Sequence, residues 1–509
     1  METIDRIKDD DVELSLLEEL PLSFVKGNVF LPLRRQNGEL LAAVADNQGT
    51  LALMDLARNY NLKPRALQAP REVILDAINR IYSQTSRVDE AMGSIKGEDL
   101  SMVATEFESP RDLLELTEEA PIIRLLNALL MEAVKERASD IHIEPYEKSI
   151  DVRFRVDGIL GKVLSPPKII QDALISRIKI MSDLDIAEKR LPQDGRIRLL
   201  IGGKDIDIRV AIIPTSLGER AVLRLLDRRV GILSLEMIGL KGSVLNIFND
   251  SLSKQNGIIL VTGPTGSGKT TTLYASLLKL NTEQRNIITV EDPVEYQLKG
   301  IGQIQVNPKI GLTFASGLRA ILRQDPDIMM VGEIRDVETA EIAVHASLTG
   351  HLVLSTLHTN DSHGALTRLI DMGIEPFLVA SSLICILAQR LVRAICPHCK
   401  ESYSPSSQEI SYFKNDIKNE DPPSLLYRGR GCNKCMGKGY LGRTGIFELL
   451  EITPDIRAMI VERKDAQTMK AASINAGFKT LRTDGMIKIL NGITTLEEVL
   501  RITQKDSDE

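Results

Sequence analysis

The stretch Gly263-Pro264-Thr265-Gly266-Ser267-Gly268-Lys269-Thr270 decides the fold of the central part of this chain. It has the G-x-x-x-x-G-K-T pattern of a phosphate-binding loop, and it stands between the apolar run 257–262 and a helical pattern that starts at Thr271. A strand, this loop and a helix in that order form the setting in which the pattern binds nucleotide phosphates. The sequence therefore predicts a nucleotide-binding α/β domain rather than an ordinary glycine-rich turn.

The residues of this loop have different expected tasks. The glycines let the backbone wrap a phosphate, and successive N–H groups at the start of the helix bind the phosphate oxygens. We expect Lys269 to reach the β- and γ-phosphates and the Thr270 hydroxyl to bind Mg²⁺, so ATP and Mg²⁺ are the expected cofactors. The predicted nucleotide-binding set is Gly263, Pro264, Thr265, Gly266, Ser267, Gly268, Lys269, Thr270 and Thr271.

Composition narrows the class of protein. A chain of 509 residues is expected to fold as several domains, at about 150 residues each. The net charge of -7, the 4% aromatic content and the lack of tryptophan argue against a nucleic-acid groove lined by basic and stacking side chains. No apolar run approaches about 18 residues, and the acidic N-terminus lacks the pattern of a signal peptide. We therefore expect a cytoplasmic protein, unless a partner holds it at a membrane.

Changes in composition divide the chain into six parts. A polar, acidic stretch with little periodicity follows the first 82 residues and is expected to be a flexible linker with one helical turn near 113–116. The predicted parts are a small α/β module (1–82), the linker (83–118), a second α/β domain (119–230), the phosphate-loop domain (231–395), a cysteine segment (396–440) and a helical C-terminal region (441–509).

Within the phosphate-loop domain, strands alternate with helices. The predicted strands are 257–262, 287–290, 328–331 and 352–356. This alternation predicts a parallel sheet with helices on both faces. Because the carboxyl ends of such strands face the ligand crevice, residues that follow each strand are candidate site residues.

Three glutamates are in that position. Glu291 and Glu295 follow one strand, and Glu333 follows the next. Glu333 is our first choice for polarising the attacking water or holding Mg²⁺ through water, although a carboxylate at a strand end can also be structural. The sequence does not decide which of the three glutamates polarises the water. Asp327 begins its strand and is interpreted as structural.

Two histidines flank the predicted strand 352–356. His358 follows its carboxyl end and is expected to sense the γ-phosphate, whereas His351 precedes the strand and is expected only to cap it. A core or capping role is the alternative for His358, because single histidines are often structural.

Four of the five cysteines form two C-x-x-C pairs, Cys396 with Cys399 and Cys432 with Cys435. The pairs are separated by 32 residues, a spacing typical of a Zn²⁺ site with four thiolate ligands. Four sulfurs leave no open coordination position, so the metal is expected to be structural. The alternative is two reduced pairs without metal.

Positive charge is concentrated before the phosphate-loop domain. Residues 151–230 contain 16 Lys and Arg against 11 Asp and Glu, in a chain whose net charge is -7. This excess is either a solvated surface or a set of groups that bind anionic ligands.

Taken together, the motifs resemble the secretion ATPase superfamily, whose members drive type II secretion, type IV pili and type IV secretion. The resemblance rests on the phosphate loop, the segments 291–295 and 332–336 and the histidines 351 and 358, in that order. It extends to Ala138-Ser139-Asp140-Ile141-His142-Ile143-Glu144-Pro145 and Leu191-Pro192-Gln193-Asp194-Gly195-Arg196, and covers about residues 1 to 500. The cysteine pairs and the short first module favour the type II secretion branch. Extension of a type IV pilus is the alternative.

This resemblance implies a RecA-like ATPase core that works as a homo-hexamer, with the nucleotide between the domain of residues 119–230 and the phosphate-loop domain. It implies that Arg196 and Arg209 close on the phosphates, unless they are ordinary surface arginines. It also implies catalytic roles for Glu333, Glu291, Glu295 and His358.

The same resemblance implies partners at the inner membrane. They are a secretion platform protein, the cytoplasmic domain of a bitopic membrane protein bound through residues 1–82, and acidic phospholipid. The expected location is the cytoplasm, peripherally associated with the inner membrane. A nucleic-acid motor on the same core is the distant alternative, and no nucleic-acid partner is expected.

Overall fold

The computed structural model describes residues 2–4, 7–8, 11–17, 20, 22–36, 38–85, 121–227, 233–416 and 423–503. The chain forms two compact units, Met1–Val230 and Gly231–Glu509. The predicted linker lies outside the described residues beyond Thr85, as does the helical turn predicted near 113–116. No helix among the described residues is long and apolar enough to cross a membrane.

The first unit begins with a small sheet packed against helices. Its elements are β1 (Glu2–Thr3), α1 (Leu22–Gly27), β2 (Phe30–Gln36), β3 (Glu39–Val44), α2 (Asn47–Asn59), β4 (Lys63–Gln68) and α3 (Arg71–Thr85). The described strands pair in the order β1-β4-β3-β2. Strand β3 is buried along most of its length, so it forms the centre of this core. Helix α3 ends at Thr85, three residues beyond the point at which the sequence turns polar.

The rest of the first unit is a second sheet with two helices. Its elements are α4 (Pro121–Lys135), β5 (Ala138–Pro145), β6 (Ile150–Val156), β7 (Ile159–Leu164), α5 (Gln171–Met181), β8 (Gln193–Ile201), β9 (Lys204–Thr215) and β10 (Gly218–Asp227). The described strands pair in the order β7-β6-β5-β10-β9-β8, and all of these pairs are antiparallel.

The two faces of this second sheet differ in chemistry. Side chains alternate between the faces of a strand, so Ile141 and Ile143 of β5 enter the apolar core while Asp140, His142 and Glu144 share the opposite face. Arginines of β6 and β10 pair with these carboxylates across the strands. Part of the excess positive charge of residues 151–230 therefore lies on this charged face of the sheet, where the arginines are paired with carboxylates.

The second unit is built on a mainly parallel sheet. Its elements through the sheet are α6 (Gly242–Leu252), β11 (Gly257–Thr262), α7 (Lys269–Leu280), β12 (Ile287–Glu291), β13 (Gly302–Gln305), α8 (Phe314–Ile321), β14 (Ile328–Val331), α9 (Val337–Leu348), β15 (Leu352–Leu357), α10 (Ser362–Asp371), α11 (Pro376–Ser382) and β16 (Leu383–Ile395). A short pair, β17 (Lys400–Tyr403) and β18 (Leu426–Gly429), and helix α12 (Ser407–Asp416) come next. Then follow β19 (Tyr440–Glu451), α13 (Pro454–Val461), α14 (Ala466–Asn475), α15 (Leu481–Leu490) and α16 (Leu496–Thr503).

The strand order in this sheet is β13-β12-β14-β15-β11-β16-β19, and the described pairs are parallel except β16 with β19. Strand β11 is buried throughout, with Ile258 and Leu260 in one apolar cluster and Ile259 and Val261 in another. Alternate residues thus pack against helices on both faces, as the sequence predicts. The predicted α/β fold with a parallel-sheet core is confirmed.

The C-terminal region is helical only after its first eleven residues. Residues 441–451 belong to β19, which runs antiparallel to β16 at the edge of the sheet. The helices therefore begin at Pro454 rather than at residue 441, because β-branched and aromatic residues such as Ile446 and Phe447 are buried against the sheet. Four helices follow among the described residues, in agreement with the predicted helical C-terminus.

Candidate functional site

The phosphate loop joins β11 to α7 at the carboxyl end of the parallel sheet. Gly268 is the N-cap residue just before α7 and has φ 90°, a left-handed conformation that favours glycine. A Cβ atom at Gly263 would lie 2.5 Å from the carbonyl oxygen of Gln389 on β16, so only glycine fits that position. The loop is therefore shaped both by its own backbone and by the neighbouring strand.

Lys269 lies half-buried over this loop. Its Nζ donates hydrogen bonds to the carbonyl oxygens of Gly263, at 2.7 Å, and Pro264, at 3.2 Å. Burial lowers the pKa of Lys269 to about 8, with Glu333 acting in the opposite direction and Arg390 in the same one. The charges of Lys269, Glu333 and Arg390 thus interact at one edge of the sheet.

Glu333 follows β14 and is held between two basic side chains. His358 Nε2 lies 3.0 Å from one of its carboxylate oxygens, and Arg335 lies 2.5 Å from the other. The Glu333 side chain is only 12% exposed, whereas His358 and Arg335 are largely exposed. Hydrogen bonding to Glu333 raises the pKa of Arg335. The structure thus brings two predicted site residues, Glu333 and His358, into direct contact.

Glu291 has different surroundings. It is 3% exposed at the end of β12, and its carboxylate accepts hydrogen bonds from Tyr274, Thr289 and Gln303. Burial and the neighbouring Glu291 raise the pKa of Tyr274. With its carboxylate bound by α7, β12 and β13, Glu291 joins the helix after the phosphate loop to the sheet.

Glu295 lies near that network without sharing its burial. Glu295 is half-buried. Its backbone N–H donates to the hydroxyl of Tyr274 at 3.2 Å. Tyr274 therefore contacts both members of the acidic segment, Glu291 through its side chain and Glu295 through its backbone. His351 takes no part in the contacts of Tyr274 with Glu291 and Glu295. Its ring contacts the carbonyl oxygen of Ala346 near the end of α9.

Sequence reasoning missed Gln389, a polar residue within the otherwise apolar stretch 383–389. Its side chain is 2% exposed, and its Nε2 donates to the carbonyl oxygen of Ser267 at 2.7 Å. Its Oε1 accepts from the hydroxyl of Thr272 at 2.6 Å. A polar residue inside the apolar stretch 383–389 was the available signal, but its partner is 122 positions away in the chain.

Several groups of the loop fit a bound nucleotide with its metal. The Ser267 hydroxyl is buried and has no hydrogen-bond partner among the described residues, although buried polar groups are normally paired. Thr265, Gly266 and Thr270 are exposed on the loop and the first turn of α7. Hydroxyl and carboxylate oxygens, such as those of Thr270 and Glu333, are the donor type that Mg²⁺ prefers.

The four paired cysteines converge in the second unit. Their ligand atoms lie within 4.8 Å of one another, with Sγ–Sγ distances of 3.9 Å (Cys396 to Cys432), 3.8 Å (Cys399 to Cys435) and 3.7 Å (Cys432 to Cys435). Sulfurs bonded at about 2.3 Å around a tetrahedral metal stand about 3.8 Å apart. The cluster can therefore bind one metal ion. Cys385 lies elsewhere, buried in β16.

The predicted arginines lie on adjacent strands of the first unit. The register of β8 and β9 places Arg196 opposite Arg209, so both side chains leave the same face of the sheet. Arg196 is 61% exposed and makes a two-pronged ion pair with Asp207, at 2.5 and 2.6 Å, while Asp207 itself is almost fully buried. Arg198 makes a similar pair with Asp205 two residues along the same strands.

The chain matches two known families. Residues 115–501 match the family described as type II/IV secretion system protein. Residues 4–88 match the family described as MshEN domain.

Named relatives cover nearly the whole chain. It is 50% identical over 497 residues to type II secretion system protein E of Pseudomonas aeruginosa, covering 96% of each chain. It is 43% identical over 504 residues to the type IV pilus assembly ATPase PilB of Myxococcus xanthus, covering 98% of this chain and 88% of that protein.

Among solved structures, the ATPase DotB of Legionella pneumophila has a similar fold. The TM-score is 0.54 at 21% sequence identity, and the similarity covers 76% of this chain and 96% of DotB.

Proposed function

This chain belongs to the type II/IV secretion system protein family and is an ATP hydrolase of a secretion system, and we propose that it powers pseudopilus assembly and protein export in type II secretion. The ATP-hydrolysing part of the proposal rests on the contact of Glu333 with His358 and Arg335 beside a complete phosphate loop. The 50% identity to a type II secretion protein supports this branch. The 43% identity to a pilus assembly ATPase keeps pilus extension as the second candidate.

In the proposed mechanism the phosphate loop binds ATP and Glu333 prepares the attack of water. Lys269 exchanges its carbonyl partners for phosphate oxygens, since a half-buried ammonium gains more from an anion than from neutral carbonyls. Mg²⁺, which neutralises phosphate charge when bound, would be held by Thr270. His358 and Arg335 fix the Glu333 carboxylate, so that it can orient water without a search through rotamers.

Within this mechanism the three glutamates have different tasks. Glu291 is assigned to holding Tyr274 and the acidic segment in place, because its carboxylate already accepts three hydrogen bonds. Glu295, which is half-buried in the same segment, is assigned a contact with the bound nucleotide. Glu333 remains the residue that polarises water.

Lys269→Ala and Glu333→Gln are expected to fail at different steps. Lys269→Ala should lose both ATP binding and turnover, because the positive charge that binds the β- and γ-phosphates disappears. Glu333→Gln should bind ATP normally and lose turnover by at least about 100-fold, because the variant changes only the handling of water or metal. Equilibrium binding of a fluorescent ATP analogue and steady-state phosphate release distinguish the two. Normal turnover by purified Glu333→Gln would remove this residue from the mechanism.

Arginines of the first unit are proposed to complete the site in a homo-hexamer. A guanidinium neutralises charge spread over the phosphoryl oxygens, and its planar fork suits phosphate as well as carboxylate. Asp207 holds Arg196 extended from the sheet face, so the arginine is presented in a fixed orientation before it meets phosphate. Arg209, its neighbour across the strands, is assigned the same task.

Arg196→Ala and Arg209→Ala should each lower ATP turnover by about 1,000-fold in the assembled protein, while ATP binding persists. Arg196→Lys should recover little of this loss, because lysine lacks the planar fork. The matched control is Arg198→Ala, which removes an arginine with the same kind of partner two positions along β8. Turnover measured on hexamers isolated by gel filtration tests the claim, and equal rates for the Arg196, Arg209 and Arg198 variants would contradict it.

The metal of the cysteine cluster is proposed to be Zn²⁺ with a structural role. Cys396, Cys399, Cys432 and Cys435 would hold it, and their spacing matches tetrahedral thiolate coordination. Four sulfurs complete the tetrahedron, so this metal takes no part in ATP chemistry. Its task is to fold residues 396–440, which stand between β16 and β19 of the ATPase sheet.

Cys396→Ser should lose bound zinc and unfold the cysteine segment but keep measurable ATP binding, because the phosphate loop belongs to a separate part of the core. Cys385→Ala is the control, since this fifth cysteine lies outside the cluster and the variant should keep its zinc. Elemental analysis of freshly purified, reduced protein checks both. A wild-type protein without zinc would contradict the proposal.

The remaining assignments concern where the motor works. We assign residues 1–82 to docking on the cytoplasmic domain of a bitopic membrane protein, with a secretion platform protein and acidic phospholipid as further contacts at the inner membrane. The match of residues 4–88 to a separate family supports a role for this module that differs from ATP hydrolysis. The division of the chain into six parts is retained as part of the proposal, with the strand at 440–451 belonging to the ATPase sheet.

A further inference from the structure

We propose that Gln389 is a positioning residue for nucleotide binding, which fixes the direction of one anion-binding N–H group of the phosphate loop. This inference rests on the proposed assignment of residues 263–270 as the nucleotide loop. Gln389 lies on β16, beside the point where β11 ends and the loop begins, since the register pairs Thr262 with Ala388. It belongs to none of the motifs that indicate the ATPase.

The hydrogen bond from Gln389 to Ser267 determines the orientation of a peptide plane. Gln389 Nε2 binds the carbonyl oxygen of Ser267 at 2.7 Å, so this carbonyl points toward β16. In a planar trans peptide the N–H of the next residue points in the opposite direction. The N–H of Gly268 is therefore directed away from β16, at the N-terminus of α7, where backbone N–H groups bind phosphates.

Thr272 gives the Gln389 amide a second contact. The Thr272 hydroxyl donates to Gln389 Oε1 at 2.6 Å, and both residues are buried. The orientation of the amide is set by Ser267, because a flipped amide would place its oxygen against the carbonyl oxygen of Ser267, which can only accept. Since α7 supplies Thr272 and the loop supplies Ser267, one side chain of β16 ties the loop and its helix together.

The close packing around Gln389 leaves the loop little room to rotate. A Cβ at Gly268 would lie 3.0 Å from Gln389 Nε2, and one at Gly263 would lie 2.5 Å from the Gln389 carbonyl oxygen. The same residue thus contacts both ends of the loop, through its backbone at Gly263 and its side chain near Gly268. Without the amide, the Ser267–Gly268 peptide is free to turn and its N–H group no longer has a fixed direction.

The test compares the affinities of the full chain for Mg²⁺-ADP and for AMP. Gln389→Met keeps the side-chain length but removes both hydrogen bonds, and it should weaken ADP binding about 10-fold, the effect expected for one hydrogen bond to a charged group. AMP affinity should stay unchanged, because AMP lacks the β-phosphate. Thr272→Val, which removes the bond to Gln389 Oε1 and the longer 3.4 Å contact of the same hydroxyl with the carbonyl oxygen of Gly268, should give a smaller loss in the same direction.

Asn286→Leu is the matched control, because Asn286 also uses a side-chain amide to bind loop carbonyls, but before β12, at the opposite end of the sheet. It should leave the ratio of ADP to AMP affinity unchanged. Thermal melting without nucleotide identifies variants that fail to fold, and if Gln389→Met is one of them, Thr272→Val carries the test. Equal weakening of ADP and AMP, wild-type ADP binding by both variants, or the same loss in Asn286→Leu would overturn the inference.

If the proposed nucleotide loop is itself wrong, Lys269→Ala will bind ADP normally. If only the role of Gln389 is wrong, Lys269→Ala will lose ADP binding while Gln389→Met and Thr272→Val retain it.

Discussion

The hydrogen bonds that hold the phosphate loop at the carboxyl end of the parallel sheet are the constraint on which the site depends. Thr262, the last residue of β11, donates to the carbonyl oxygen of Leu357 at 3.1 Å and accepts from the N–H of Thr359 at 3.0 Å. On the other side of β11, Gln389 holds Ser267. The loop is thereby fixed to both neighbouring strands, and the residues that follow those strands lie beside it.

The arrangement of charges at this edge follows from the same parallel register. Because β14 and β15 pair in parallel, the residues just after them, Glu333 and His358, meet although they are 25 positions apart. Lys269 supplies positive charge, and its lowered pKa reflects the burial that also makes its interaction with an anion strong. Catalysis of phosphoryl transfer consists mainly of positioning and charge neutralisation, and the proposed mechanism assigns both tasks to the groups at this edge.

The sequence was sufficient for the parallel core, since a strand, a glycine-rich loop and a helix have strong local patterns, and it was sufficient to place Glu333 just after a strand of that core. It could not separate Glu291 from Glu333, because both follow strands and only packing shows that Tyr274 and Thr289 take up the Glu291 carboxylate. Gln389 was missed because its bond to the loop spans 122 positions. The strand at 440–451 was missed because its apolar and polar residues do not alternate regularly, and helices follow it in the sequence.

The most direct test of the central claim is hydrogen–deuterium exchange of the full chain with and without Mg²⁺-ADP. The account predicts slower exchange in peptides that cover residues 263–272, because their N–H groups bind phosphate, and in peptides that cover Gln389 and its strand. Peptides from the cysteine segment, residues 396–440, should exchange at the same rate in both conditions. Protection elsewhere in the chain with none at residues 263–272 would contradict the account.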